Sequence, residues 1–372
     1  MKRLRVGVLF GGRSTEHEVS ILSARAVIRE LDPQRFEVVP LYIDKQGRWL
    51  VGDSLRRVLG QADGRTYVYL PPDPTAHALV PVEAVDRPGP LPDLDVVFPI
   101  FHGLNGEDGT IQGVLELANV PYVGAGVLGS ALGLDKIYMK RAFQAVGLPV
   151  VDYLPLTRKE LEADPRGIVQ RIEEQLGYPC FTKFANSGSS VGTSKAHDRK
   201  ELEEGLRLAA RFDRKLIVER AVDARELEVS VLGNDEPQAS VVGEIVPAHE
   251  FYDYEAKYLD EGSRALIPAP ITEQQSAEVR RLAVEAFKAV DAAGMARVDF
   301  FLERSSSRLF VNELNTLPGF TPISMYPKLW EASGLSFSKL VERLIELALD
   351  RFSDKQRSQT AIDSRLLPSA DA

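Results

Sequence analysis

Ala296-Arg-Val-Asp-Phe-Phe-Leu-Glu303 and Arg308-Leu-Phe-Val-Asn-Glu-Leu-Asn315 are two runs of alternating apolar and polar residues, separated by a short serine-rich turn. Alternation with period two predicts two strands, and the short connection predicts that they pair as a β-hairpin. Side chains alternate across a strand, so Arg297 and Asp299 share one face, as do Glu313 and Asn315 on the partner. A register that sets Asp299 opposite Glu313 points all four the same way. Carboxylates facing each other across a ladder repel unless a cation lies between them. Magnesium suits that gap, since it takes one or two carboxylates and fills its octahedron with phosphate oxygens and water. A plain exposed polar face is the competing reading.

Outward from the hairpin, strands and helices alternate from about Leu216 to Asp350. Before it comes a middle region with a helix from about Asp135 to Val146, a strand from Tyr178 to Phe184, and the small-residue loop Asn186-Ser-Gly-Ser-Ser-Val-Gly192. The chain opens with a strand from Arg5 to Phe10, the turn Gly11-Gly-Arg-Ser-Thr-Glu16 and a helix from about Ser20 to Leu31. Strand, glycine turn and helix predict a parallel α/β unit. A second such unit follows, with a strand at 95–101, a glycine-rich loop at 102–109 and a helix at 111–118. The proline- and glycine-rich stretch at about 60–92 reads as irregular. The expected division is 1–124, 125–215 and 216–352, followed by a disordered polar tail at 353–372.

With 372 residues, 44% of them hydrophobic, the chain can bury the cores of two or three domains. The single cysteine, Cys180, excludes a disulfide framework and reads as a buried core thiol in preference to a reactive one. No apolar run approaches the roughly 20 residues that cross a bilayer, so a cytosolic protein without membrane partners is expected. The net charge of −9 argues against broad nucleic-acid binding. The 5 histidines lack metal-ligand spacing, which leaves a hard cation held by oxygen.

The loop at 187–192 offers backbone amides and hydroxyls of the kind that fold over phosphates. It also matches Gly-x-Ser-x-Gly, but a hydrolase elbow places its serine directly after the strand, and here Ala185, Asn186 and Ser187 intervene. A flexible surface loop is the blander alternative. No Walker sequence is present, so a triphosphate needs another cradle. Lys136 and Lys183 are candidate phosphate charges, and Leu216–Val222 is a candidate backbone edge for a base.

Five motifs, in order across nearly the whole chain, resemble the D-alanine–D-alanine ligases of the ATP-grasp superfamily: Gly11–Ser20, His102–Gly113, Gly188–Gly192, Phe251–Tyr258 and Asn312–Thr321. The resemblance implies a three-domain α/β ATP-grasp architecture: an N-terminal parallel α/β domain, and two α+β subdomains clasping ATP. It implies that ATP phosphorylates the carboxylate of one D-alanine and that the amine of a second displaces phosphate, for peptidoglycan precursors. Glu16 is then expected to hold the first ammonium and, with Ser189 and Tyr258, to orient both amino acids. His102 is expected near the first substrate, with Arg297 and the Gly319 amide at the oxyanion, and Ser324 and the Met325 amide at the second carboxylate. For ATP the implied residues are Lys136, Lys183, Ser190, Glu219, Arg220, Ala221, Val222, Glu226, Phe251, Lys257, Asn312 and Glu313. Asp299, Glu313 and Asn315 are the implied metal ligands, for two magnesium ions with manganese as an alternative. The loop 250–261 is the expected lid, and a homodimer the expected assembly. Relatives that use D-serine or D-lactate, and other ATP-grasp ligases, are the alternatives; the stretch Tyr252-Asp-Tyr-Glu-Ala-Lys-Tyr258 favours D-alanine. One departure is Phe184, which follows Lys183 where the family usually has proline.

Overall fold

Val6 to Gly11 is buried along its whole length, and an unbroken apolar run of this kind suits a strand covered on both faces. It belongs to β1 (Leu4–Gly11), which pairs in parallel with β2 (Phe36–Ile43). The helix α1 (His17–Glu30) makes the crossover. The computed structural model describes residues 3–52, 65–82, 91, 93–186, 192–246 and 264–359. Within them β3 (Trp49–Gly52), β4 (Arg65–Tyr69) and β5 (Val80–Pro81) add antiparallel strands beyond β2, and β6 (Val96–Ile100) pairs in parallel with the other side of β1. The stretch at 60–92, expected to be irregular, thus supplies two strands. Arg65-Thr-Tyr-Val-Tyr69 is β-branched and aromatic, and the prolines and glycines around it masked that signal.

α2 (Thr110–Leu117) and α3 (Val127–Leu134) lead out of this domain. Gly124-Ala-Gly126-Val-Leu-Gly129 has the spacing of a dinucleotide-binding turn, yet these glycines serve packing. Gly124 adopts φ +95°, and a Cβ on Gly129 would lie 2.4 Å from the Asp291 carbonyl oxygen.

α4 (Lys136–Ala145) is capped by Asp135, whose carboxylate accepts from the amides of Ile137 and Tyr138 and pairs with Lys215. The middle region continues through β7 (Tyr153–Thr157), α5 (Arg158–Ala163), α6 (Pro165–Gln175), β8 (Cys180–Phe184), β9 (Ser194–Ala196), α7 (Arg199–Ala209) and β10 (Lys215–Arg220). Its antiparallel sheet has the order β7-β10-β8-β9. The expected division between residues 215 and 216 therefore falls inside β10, and the chain changes sheet between Arg220 and Ala224. Cys180 is fully buried as a free thiol in this core. Phe184 stacks on Phe212 at 5.4 Å between ring centres, so the residue standing in for proline is used as packing.

The last sheet is antiparallel, β13-β12-β11-β14-β15, built from β11 (Ala224–Gly233), β12 (Gln238–Val246), β13 (Arg264–Leu266), β14 (Gly294–Glu303) and β15 (Leu309–Asn315). α8 (Glu273–Ala289) covers one face. α9 (Met325–Ala332) and α10 (Phe337–Lys355) follow, and Leu340, Leu344 and Ile345 of α10 share a core with Val6, Val8 and Phe10. Residues 353–355, expected in the polar tail, are helical instead, since α10 runs to Lys355, which pairs with Glu116. Residues beyond 359 lie outside the described part.

Candidate active site

The hairpin forms as its alternation predicts. Arg297 pairs with Asn315 and Asp299 with Glu313, and a bulge follows in which Asn312 is the extra residue before Phe300 pairs with Val311. The bulge turns the Asn312 carbonyl toward Lys140 Nζ, 3.2 Å away. On its other side β14 pairs Asp299 with Glu228 and Arg297 with Ser230 of β11. Glu228, Asp299 and Glu313 thus form a row of carboxylates across three strands.

Such a row needs cations. Arg297 forks onto Asp299, with Nε to Oδ1 at 2.7 Å and Nη2 to Oδ2 at 2.6 Å, and its Nε lies 3.2 Å from Glu228. Burial opposes its charge, but Asp299 and Glu228 keep the guanidinium well above its usual value. Lys136, at the first turn of α4, reaches Glu313 at 3.0 Å. Asn315 Nδ2 donates to Asp299 at 3.2 Å. Asp299, Glu313 and the amide oxygen of Asn315 supply the all-oxygen donors a hard cation requires, and the carboxylate row supplies the charge. Among the described residues no group of three His, Cys, Asp or Glu could hold a metal, so the amide is needed to complete a triad.

A second ionic group lies on the facing sheet. Lys183 on β8 and Lys140 on α4 reach Glu219 of β10 at 2.7 and 3.0 Å. Burial alone would raise the Glu219 carboxyl, and the two ammonium groups hold it down to about 2. Burial opposes the Lys183 charge, but Glu219, with Glu313 and Glu226, keeps its ammonium above the usual value. Arg220 turns to Asp152 and Glu303. The amides of Arg220 and Ala221 are taken by the carbonyls of Asp152 and Pro179, which removes those two donors from the base-binding edge expected at 219–222. Lys140 and Glu228 were not singled out in the sequence, where a lysine four residues after Lys136 and a glutamate two after Glu226 read as ordinary helix and strand positions.

The N-terminal domain contributes a third part. Glu16 is buried at the mouth of α1 and makes no side-chain cap. Its Oε2 would lie 3.2 Å from a Cβ on Gly103. His102, expected near the first substrate, has both ring nitrogens engaged: Nδ1 with the Leu317 carbonyl at 3.1 Å and Nε2 with Ser23 Oγ at 3.2 Å. Burial takes its pKa down to about 4. Glu107 accepts from the Gly103 amide at 2.7 Å and the Leu317 amide at 3.2 Å. Burial, with Glu16 nearby, pushes the Glu107 carboxyl up to about 8. Gly319 is within the turn so held, and Ser324 begins α9 with its hydroxyl bonded to Thr321. Met325 packs its side chain with Ile245 and Leu329. Ser189, Ser190, Phe251, Lys257 and Tyr258, with the expected lid, lie outside the described residues. A cavity of about 550 Å³ lies elsewhere, with Tyr122, Asp291 and Arg351 in its lining.

Two family descriptions cover most of the chain: "D-ala D-ala ligase N-terminus" matches residues 5–125 and "D-ala D-ala ligase C-terminus" residues 142–346. The chain belongs to the D-ala D-ala ligase family. A D-alanine–D-alanine ligase of Heliobacterium modesticaldum is 52% identical over 364 residues, spanning 97% of this chain and 98% of that protein. Among solved structures, the D-alanine-D-alanine ligase from Coxiella burnetii superposes with a TM-score of 0.85 at 36% identity, over 96% of this chain and 97% of the other. The VanG D-Ala:D-Ser ligase from Enterococcus faecalis gives 0.83 at 34% identity, over 93% and 100%. The fold is accordingly the ATP-grasp fold. No helix among the described residues is long and apolar enough to cross a membrane.

Proposed function

We propose that this chain joins two D-alanine molecules into D-alanyl-D-alanine, converting ATP to ADP and phosphate, for peptidoglycan precursor synthesis. The observation that carries this reading is the carboxylate row Glu228–Asp299–Glu313, bounded by Arg297 and Lys136 and faced by Lys183. A carboxylate oxygen of the first D-alanine attacks the γ-phosphorus, and the bond to the β-phosphate oxygen breaks, giving an acylphosphate and ADP. The uncharged amine of the second D-alanine attacks the acyl carbon. The carbon–oxygen bond to phosphate then breaks, the nitrogen loses a proton, and inorganic phosphate leaves.

Lys183 and Lys136 supply positive charge to the phosphates, and Glu219 and Glu313 hold their ammonium groups in place. A dication on Asp299, Glu313 and Asn315, in our reading magnesium as two ions or manganese in its place, would neutralise charge developing on the transferred group. Glu16 binds the first ammonium and, with Ser189 and Tyr258, orients both amino acids. Arg297 and the Gly319 amide face the oxyanion, where donors held in advance contribute most. Ser324 and the Met325 amide receive the second carboxylate at the start of α9, where N–H groups and the helix dipole favour an anion. Ser190, Glu226, Phe251, Lys257, Asn312 and the 219–222 stretch complete the ATP site. The proposed assembly is a cytosolic homodimer.

Product analysis with D-alanine, D-serine and D-lactate in competition tests the reading. D-Alanyl-D-alanine with stoichiometric ADP and phosphate is expected. A mixed product in majority would reassign the second substrate, and phosphate release indifferent to D-alanine would reject the ligase reading.

A further inference from the structure

Three hydrogen bonds join the N-terminal domain to the turn Leu317–Phe320 that follows the C-terminal sheet, two more within the domain brace them, and their donors follow from the chemistry of the atoms. The Leu317 carbonyl can only accept, so His102 Nδ1 carries a hydrogen and donates to it. Nε2 of the neutral ring then accepts from the Ser23 hydroxyl. Ser23 Oγ in turn accepts from the Phe320 amide at 3.3 Å. The Leu317 amide donates to Glu107 Oε1, and Glu107 Oε2 accepts from Gly103, the neighbour of His102. The circuit closes with one hydrogen per bond, and Ser23, His102 and Glu107 are all buried. Both polar groups of the Leu317 residue and the amide of Phe320 are held this way, with Gly319 between them.

We infer that Ser23, His102 and Glu107 are positioning residues that fix the Gly319 amide for the second chemical step. This rests on the ligase reading above. The circuit ties the domain that receives the first amino acid, through Glu16 beside Gly103, to the amide that stabilises the tetrahedral intermediate. A donor displaced by about 1 Å loses about 10²-fold in rate, and the loss falls on capture of the acylphosphate, because phosphoryl transfer develops no charge at that amide.

The test uses the full chain with D-alanine and ATP labelled with ¹⁸O in its β,γ-bridge. It compares the rate at which label scrambles, which reports reversible acylphosphate formation, with the rate of dipeptide formation. In Ser23→Ala and Glu107→Gln the ratio of scrambling to dipeptide is expected to rise about tenfold or more, with KM for ATP unchanged. Glu107→Gln acts because its amide nitrogen cannot accept from Gly103 or Leu317. His102→Asn, which keeps a donor near the Nδ1 position, is expected to retain more activity than His102→Gln. Arg351→Met weakens a different contact between the domains and is expected to leave the ratio unmoved. A fall in kcat with the ratio unchanged, or equal loss in the two His102 variants, overturns the inference. Wild-type protein with neither scrambling nor D-alanine-dependent phosphate would instead reject the ligase reading itself.

Discussion

Glu107 shows how far a residue's environment departs from what its place in a motif announces. It sits in the loop His102–Gly109, a stretch rich in glycine and acidic residues, and reads there as one more turn carboxylate. In the structure it is buried against Glu16 and titrates near 8. A carboxyl whose folded pKa lies above the unfolded value near 4.5 keeps its proton on folding. Its contribution to stability is therefore full below about pH 4.5 and declines as the pH rises toward 8. Thermal unfolding midpoints measured from pH 5 to 8 should fall more steeply in the wild type than in Glu107→Gln; parallel curves would show that Glu107 does not retain the proton. His102 has the opposite sign. Its folded pKa near 4 lies below the usual 6.5, so it adds a loss of stability as the pH drops from 6.5 to 4. Lys140 was hidden for a related reason. Its lysine type predicts solvent exposure, and the buried Glu219 opposite, with the Asn312 carbonyl, makes an interior position tolerable.

At the scale of elements the hairpin was the most legible feature, because strict alternation defines both the face and the pairing. Only its bulge was hidden, since one extra residue leaves the apolar pattern almost unchanged. The bulge matters because it keeps Asp299 opposite Glu313 while sending the Asn312 carbonyl to Lys140. Asp299→Asn removes one carboxylate from the row and the fork partner of Arg297. Activity at limiting magnesium should fall by at least about tenfold, given that even outer-shell changes cost 10–100-fold, and excess magnesium should restore part of it. Full activity at low magnesium would remove Asp299 from the metal set. β4 was missed because turn residues flank it closely. β10 was divided because its apolar run begins where a charged helix end leaves off, and only the pairing with β7 and β8 shows to which sheet it belongs.

Across the whole molecule, the first and last segments of the chain share one core, and the seam between them is polar. Arg351 of α10 donates to the carbonyls of Gly124 and Tyr122, and its guanidinium lies 4.6 Å from the centre of the Tyr122 ring. Lys355 pairs with Glu116, and Gln356 donates to Asn119 at 2.8 Å. Gly129 lets α3 approach the Asp291 carbonyl. Gly129→Ala would drive a methyl into that backbone oxygen, an overpacking worth about 1–3 kcal/mol, so its unfolding midpoint should drop by several degrees. An unchanged midpoint would mean that α3 shifts freely and that the close approach has no structural role.

The order of strands and helices, the hairpin with its acidic face, and the family likeness all follow from local pattern, because periodicity and turn chemistry act over a few residues. The circuit through Ser23, His102, Glu107 and Leu317, the pairing of Lys140 with Glu219, and the third carboxylate Glu228 join positions that are tens to hundreds of residues apart or lie on different strands. Their protonation and roles depend on burial and on the partner across the gap. Those are properties of the packed molecule, and no stretch of sequence carries them alone.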